Sequence, residues 1–240
     1  PAPLKVGFWP GRDGDCAALR NPAYRQMFEQ VMRPALALVG GVEDERAVVG
    51  RCNEDYTTGP IVRAVRAGEA LPRLRSPKPS SFSGEYVTIT LRESDQWVYR
   101  NSNLDAWRMF AGYLKAHGER VVIVRDTAKG DTPALGAFSE CWAASHNLHY
   151  RTALYEAAKA NLFVANGPAQ LAMLGSRPFL VFIEPLPDGH AYHTTTPAFW
   201  KAHMGIEIGE QYPWFGDRQR IVWAKDDYET MVAAWEEFQC

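Results

Sequence analysis

The sequence lacks a bilayer-length apolar run, a strong charge of either sign and paired cysteines, and each absence removes a class of function. No stretch approaches the ~18–20 apolar residues that span a membrane. Residues 1–5 carry neither the charged nor the apolar region of a signal peptide, so a cytoplasmic location is expected. Contact with a membrane surface at its periphery stays open. The formal net charge is −2 and the pI about 6.4, which gives no field to gather a phosphate backbone, so no nucleic-acid partner is expected. Cys16, Cys52, Cys141 and Cys240 stand far apart without a C-x-x-C pair and read as free thiols. His146-x-x-His149 and His190-x-x-His193 fall on no clear helix and beside no cysteine, so no metal site is expected. The glycine fingerprint of dinucleotide binders, the P-loop and the G-x-S-x-G elbow of α/β-hydrolases are all missing.

What is present supports a packed α/β protein. In 240 residues, 46% are hydrophobic and 12% aromatic, enough for one large core or two small ones. Residues 4–9 read as a strand that ends at Pro10-Gly11 and a polar loop with Arg12, Asp13, Gly14 and Asp15. Asn21 and Pro22 start a helix with one apolar stripe to Val39, closed by Gly40-Gly41. Residues 46–50 suit a strand and 60–67 a helix. Three prolines and four serines between Pro72 and Gly84 suit an exposed linker, which divides the chain into a smaller N-terminal α/β domain over 1–80 and a larger domain over 81–240.

The second part alternates strand and helix. Strands are expected over 86–91, 121–124, 162–165, 178–183 and 221–223, each a short apolar run that turns polar at its end. Between them come helices capped by Ser102 or Asn103 and closed at His117-Gly118, then over 152–160 and 168–174, with a last one after Asp226 or Asp227. The stretch 186–216 reads as irregular apart from a short helix near 197–203. Such βαβ repeats predict a Rossmann-like parallel sheet flanked by helices.

In open parallel sheets, ligands bind beyond the carboxyl ends of the strands. Those ends supply Arg92 and Glu93, Arg125 and Asp126, Asn166 and Gly167, and Glu184, with His190 and Asp188 near the mouth. In Asn166-Gly167-Pro168-Ala169-Gln170, glycine admits close backbone approach, proline opens a helix, and the free amides that follow suit a phosphate. Arg100 and Asn101 at the next helix start could grip a diphosphate together with Arg92. Asp13 and Asp15, on the loop after the first strand, are the best placed carboxylates for a general base, and Asp13 is the one expected to serve.

The segment LYEAAKANLFVANGPAQLAMLGSRPFLVF, 154–182, resembles the donor-binding half of GT-B-fold glycosyltransferases, the heptosyltransferase-like group above all. Where that pattern has an acid before Gly-Pro and a histidine after it, this chain has Ala165-Asn166 and Ala169-Gln170. Arg92 is similar to the strand-end arginine of fucosyltransferase-like enzymes. The resemblance implies metal-independent transfer of a sugar from a nucleotide-sugar to a glycan or glycolipid acceptor, with the nucleotide-sugar as substrate and no bound cofactor. Asn166, Gly167, Arg92 and Arg100 would stabilise the departing diphosphate. An epimerase of the same fold, and a non-catalytic nucleotide- or sugar-binding protein, are the alternatives.

Overall fold

The computed structural model describes residues 58–239 apart from 72, 77, 78, 81, 96, 137, 191 and 192. Asp13 and the elements expected over 4–9, 22–39 and 46–50 lie outside the described residues. Six strands form one sheet: β1 (Val87–Thr90), β2 (Val121–Val124), β3 (Ser139–Glu140), β4 (Ala160–Val164), β5 (Phe179–Phe182) and β6 (Gln219–Val222). The order is β3-β2-β1-β4-β5-β6 and every pairing is parallel. The expected Rossmann-like sheet is therefore present.

β1, β2, β4 and β5 are buried along their whole length; β2 and β5 accordingly read as unbroken apolar runs, while β1 and β4 also bury Thr88, Thr90 and Asn161. Successive residues serve opposite cores. Val122 and Val124 join the core beneath α3 (Trp142–His146), α4 (Leu148–Ala157) and α5 (Gly167–Met173), whereas Val121 and Ile123 join that beneath α2 (Leu104–Ala116) and α7 (Tyr228–Gln239). From β1 the chain winds one way through α2, and from β4 the other way through α5. One common hand of crossover then requires these helices on opposite faces, as found.

Local sequence explains the helix ends. Asn103 Oδ1 accepts the Ala106 N–H at 3.3 Å to start α2, whose Trp107, Phe110 and Leu114 are fully buried. Burying such a side chain stabilises by about 1.5–3 kcal/mol. β3 and α3 escape the sequence reading because two residues and five are too few to set a period. α4 begins at Leu148, four residues before the expected start, because Asn147 Oδ1 accepts the His149 and Tyr150 amides at 3.0 and 3.2 Å. Arg151, buried on α4, donates from Nε to Ala144 O at 2.6 Å and from Nη2 to Ser145 O at 3.2 Å. A cation thus satisfies carbonyls of the last turn of α3.

The segment before β1 is tied down where a linker was expected. The helix α1 (Gly59–Arg66) buries Val62 in the first core. Leu74 N donates to Leu174 O at 2.9 Å, Arg73 donates to Gly175 O at 2.9 Å and also bonds Trp214 O, and Ser76 N reaches Glu156 Oε2 at 2.6 Å. The carbonyls left over at the C-terminus of α5, those of Leu174 and Gly175, take up donors from this stretch. Helix α6 (Pro197–Phe199) runs on into a π-helical turn, Trp200–Met204, closed by Gly205 at φ 77°. Among the described residues no helix is long and apolar enough to cross a membrane.

Candidate functional site

Strand order reverses between β1 and β4, and the crevice at such a switch point is where open α/β sheets take ligands. A cleft of about 300 Å³ lies at this edge. Its wall is drawn from the loop before α2 (Tyr99, Arg100, Asn101) and from the ends of β4, β5 and β6 (Ala165, Glu184, Asp226). Thr195, Lys225 and His190 complete the rim.

The loop carrying Arg100 is held rigid by its own side chains. Trp97 stands in the left-handed region at φ 58°, an uncommon conformation for a bulky residue, and its carbonyl accepts both Arg92 Nη1 at 3.1 Å and Arg100 N at 3.0 Å. Asn101 accepts from Ser94 N at 3.0 Å and donates to Ser94 O at 2.9 Å, while its Oδ1 also takes a hydrogen bond from Arg92. Ser102 Oγ accepts Arg92 N at 2.9 Å. Arg92, Asn101 and Ser102 are thus spent on building the loop, and Asn103 on capping α2.

Arg100 differs. Its Nη2 donates to Ala165 O at 3.0 Å, which binds the loop to the end of β4 across the switch point. Its Nε is sealed from solvent and makes no hydrogen bond, and no carboxylate among the described residues pairs with it. Trp97 lies under the guanidinium, 5.9 Å from ring centroid to Cζ. Burial pulls the Arg100 pKa below the usual guanidinium value; burial first, and then the charge of Arg100, does the same to Arg92. A half-buried cation without an acid among the described residues makes Arg100 a candidate anion site.

Across the cleft, Asp226 is 9% exposed, and its Oδ2 accepts Asn103 N at 2.8 Å and Trp107 Nε1 at 2.7 Å. Burial pushes its carboxyl pKa up, against these hydrogen bonds. Lys225 next to it is exposed, as is Glu184.

Other expected site residues lie elsewhere. Asp126 is taken by backbone: Oδ1 accepts Thr127 N at 2.8 Å and Oδ2 accepts Glu93 N at 3.3 Å. Glu93 in turn forms a nearly buried ion pair with Arg125. Asn166 Oδ1 accepts Ala169 N at 2.9 Å and Pro168 has no N–H, so the cap itself uses an amide that an anion would need. A Cβ on Gly167 would meet nothing within 4 Å, and Gln170 is exposed. None of Asn166, Gly167, Pro168, Ala169 and Gln170 lines the cleft. Asp188 caps Ala198 N at 2.9 Å. Thr195 and Lys225 are cleft residues that sequence reading did not single out, and Asp226 figured there only as a helix cap. Their signal was the apolar β6 run just before Lys225, which puts that pair at the same edge once the strand order is known. Among the described residues no three His, Cys, Asp or Glu gather as a metal-holding group.

No family model matches the sequence, and no curated protein does. Among the solved structures that match in part are two of TibC. The bacterial iron-containing dodecameric glycosyltransferase TibC from enterotoxigenic E. coli H10407 is 18% identical at a TM-score of 0.43, over 70% of this chain and 49% of that one. The dodecameric iron-containing heptosyltransferase TibC in complex with ADP-D-beta-D-heptose is 17% identical at a TM-score of 0.41, with the same coverage. This chain spans about half the length of those structures, and a likeness of that degree carries no functional argument.

Proposed function

We propose that the chain binds a nucleotide-sugar in the switch-point cleft and transfers its sugar to a glycan or glycolipid acceptor, without a metal, as a GT-B-like glycosyltransferase. The observation that supports this reading is Arg100, a half-buried guanidinium with a sealed, unpartnered Nε at the crevice where parallel α/β sheets hold phosphates. Its planar fork suits a diphosphate, and Lys225 on the same rim adds a second cation. Together they would stabilise the charge that gathers on the departing nucleoside diphosphate. Arg92 supports them by fixing the loop. Asp13 is the proposed base for the acceptor hydroxyl, and the acceptor-side domain over 1–80 belongs to the same proposal. The test is calorimetric titration with ADP-, GDP-, UDP- and CMP-sugars in the presence of EDTA, followed by a sugar-release and transfer assay. Binding of one nucleotide-sugar and its turnover are expected; lack of binding by all four overturns the proposal.

A non-catalytic binding protein is the second reading, favoured by Ala165-Asn166 and Ala169-Gln170 in place of the acid and histidine of the glycosyltransferase pattern. Tight binding with neither hydrolysis nor transfer selects it.

A further inference from the structure

Five side-chain polar atoms among the described residues are sealed from solvent without a hydrogen-bond partner: Arg100 Nε, Ser145 Oγ, His149 Nδ1, Thr195 Oγ1 and Trp200 Nε1. Of the residues that carry them, Arg100 and Thr195 line the cleft. Arg100 is a cation and asks for an anion. Thr195 asks for something neutral.

The run Thr194-Thr195-Thr196 makes the contrast within three residues. Thr194 Oγ1 lies 3.3 Å from Tyr99 OH and joins its segment to the loop before α2. Thr196 Oγ1 accepts Phe199 N at 3.3 Å and caps α6. Thr195, 7% exposed, has its backbone fixed by the Leu186 N–H on its carbonyl at 3.1 Å, and its hydroxyl is idle. An idle buried hydroxyl destabilises a fold, and valine would fill the same volume without that penalty. A hydroxyl donates and accepts at once, as does a ring hydroxyl of a sugar. Val164, Phe182 and Leu186 line the same cleft and give it the apolar surface that the C–H face of such a ring requires, and Asp226 gives it a carboxylate.

We propose that Thr195 Oγ1 binds a ring hydroxyl of the bound nucleotide-sugar, on the ribose or on the transferred sugar, and so helps set which sugar the cleft accepts. The inference rests on the nucleotide-sugar reading above. It is tested with Thr195→Val and Thr195→Ser on the full chain, by melting without ligand and by titration with UDP, GDP and ADP, 2′-deoxy-ADP, UDP-glucose, GDP-mannose and ADP-glucose. Thr195→Val should melt about 2–4 °C higher without ligand, since it removes an unsatisfied group. It should bind the nucleotide-sugar about 3- to 10-fold more weakly, with Thr195→Ser restoring affinity. Weakening confined to the sugar esters assigns the hydroxyl to the transferred sugar, and equal weakening of the nucleoside diphosphate assigns it to ribose. Unchanged affinity of Thr195→Val for every ligand that the wild type binds overturns this inference and leaves the function standing. Absence of binding by the wild type overturns both.

Discussion

Replacing Arg100 with methionine separates a ligand-binding cation from a structural one. Methionine keeps most of the stem and removes the fork. If the guanidinium meets a diphosphate, at least one charge-assisted hydrogen bond of about 1.5–3 kcal/mol goes with it, and near the upper end the dissociation constant rises roughly 150-fold. Stability responds in two opposing directions. The bond from Nη2 to Ala165 O and the contact over the Trp97 ring are lost, which costs about 1–2 kcal/mol. Against this, the fold no longer holds a desolvated charge without an acid, the condition that lowers the Arg100 pKa. These effects offset, so the melting temperature should move by less than about 4 °C. Arg100→Lys, which keeps the charge but not the fork, should lose affinity by about 10-fold only. Titration of the best-binding nucleotide-sugar at low and high salt reads the result, with the wild type more salt-sensitive than Arg100→Met. An unchanged dissociation constant in Arg100→Met refutes the reasoning. A large fall in melting temperature refutes it too, because the cation would then be serving the fold.

Three further predictions concern the scaffold. Asn161→Leu removes the 2.7 Å bond from Thr88 Oγ1 and the 3.1 Å bond to Tyr155 O, both fully buried, and should destabilise by about 2–3 kcal/mol in urea unfolding. Asp226→Asn should gain on the wild type as pH rises. Burial lifts the folded pKa of Asp226 above its ordinary value of 3.8, so the ionised carboxylate costs stability at neutral pH and costs nothing below that value. The difference in melting temperature, variant minus wild type, is therefore expected to become more positive from pH 4 to pH 7; a flat difference would count against it. Gly205→Ala should destabilise by about 1–3 kcal/mol by thermal unfolding. Its φ is 77° and a Cβ would stand 2.9 Å from Gly59 Cα and 3.0 Å from Val62 Cβ.

The sheet was legible in the sequence where strands are buried on both faces, since β1, β2, β4 and β5 carry runs such as Val121-Val122-Ile123-Val124 that no exposed element would tolerate. Strand order was not legible. Nothing local in Tyr86 to Leu91 says that Thr88 will face Asn161 more than seventy residues on. The cleft shows the same division. Arg100 and Glu184 follow from being next to an element end, whereas Thr195 reaches the cleft through a loop of 186–196 with no period to read. Asn101 and Asn166 were recognised as polar residues at helix starts, but nearby backbone amides, Ser94 N and Ala169 N, claim them first, a competition that residue type alone does not decide.

The Thr88–Asn161 bond sits between β1 and β4, the two strands that meet at the switch point. These side chains are register partners, so they meet in one alignment of β1 against β4. Sliding one strand by two residues would keep every side chain on its proper face and so escape correction by the greasy layers on either side. It would also carry Arg100 and Ala165 about 6–7 Å apart. A single amide and hydroxyl, deep in the sheet and outside the cleft lining, thus act as the alignment pin that keeps Arg100 and Ala165 opposite one another.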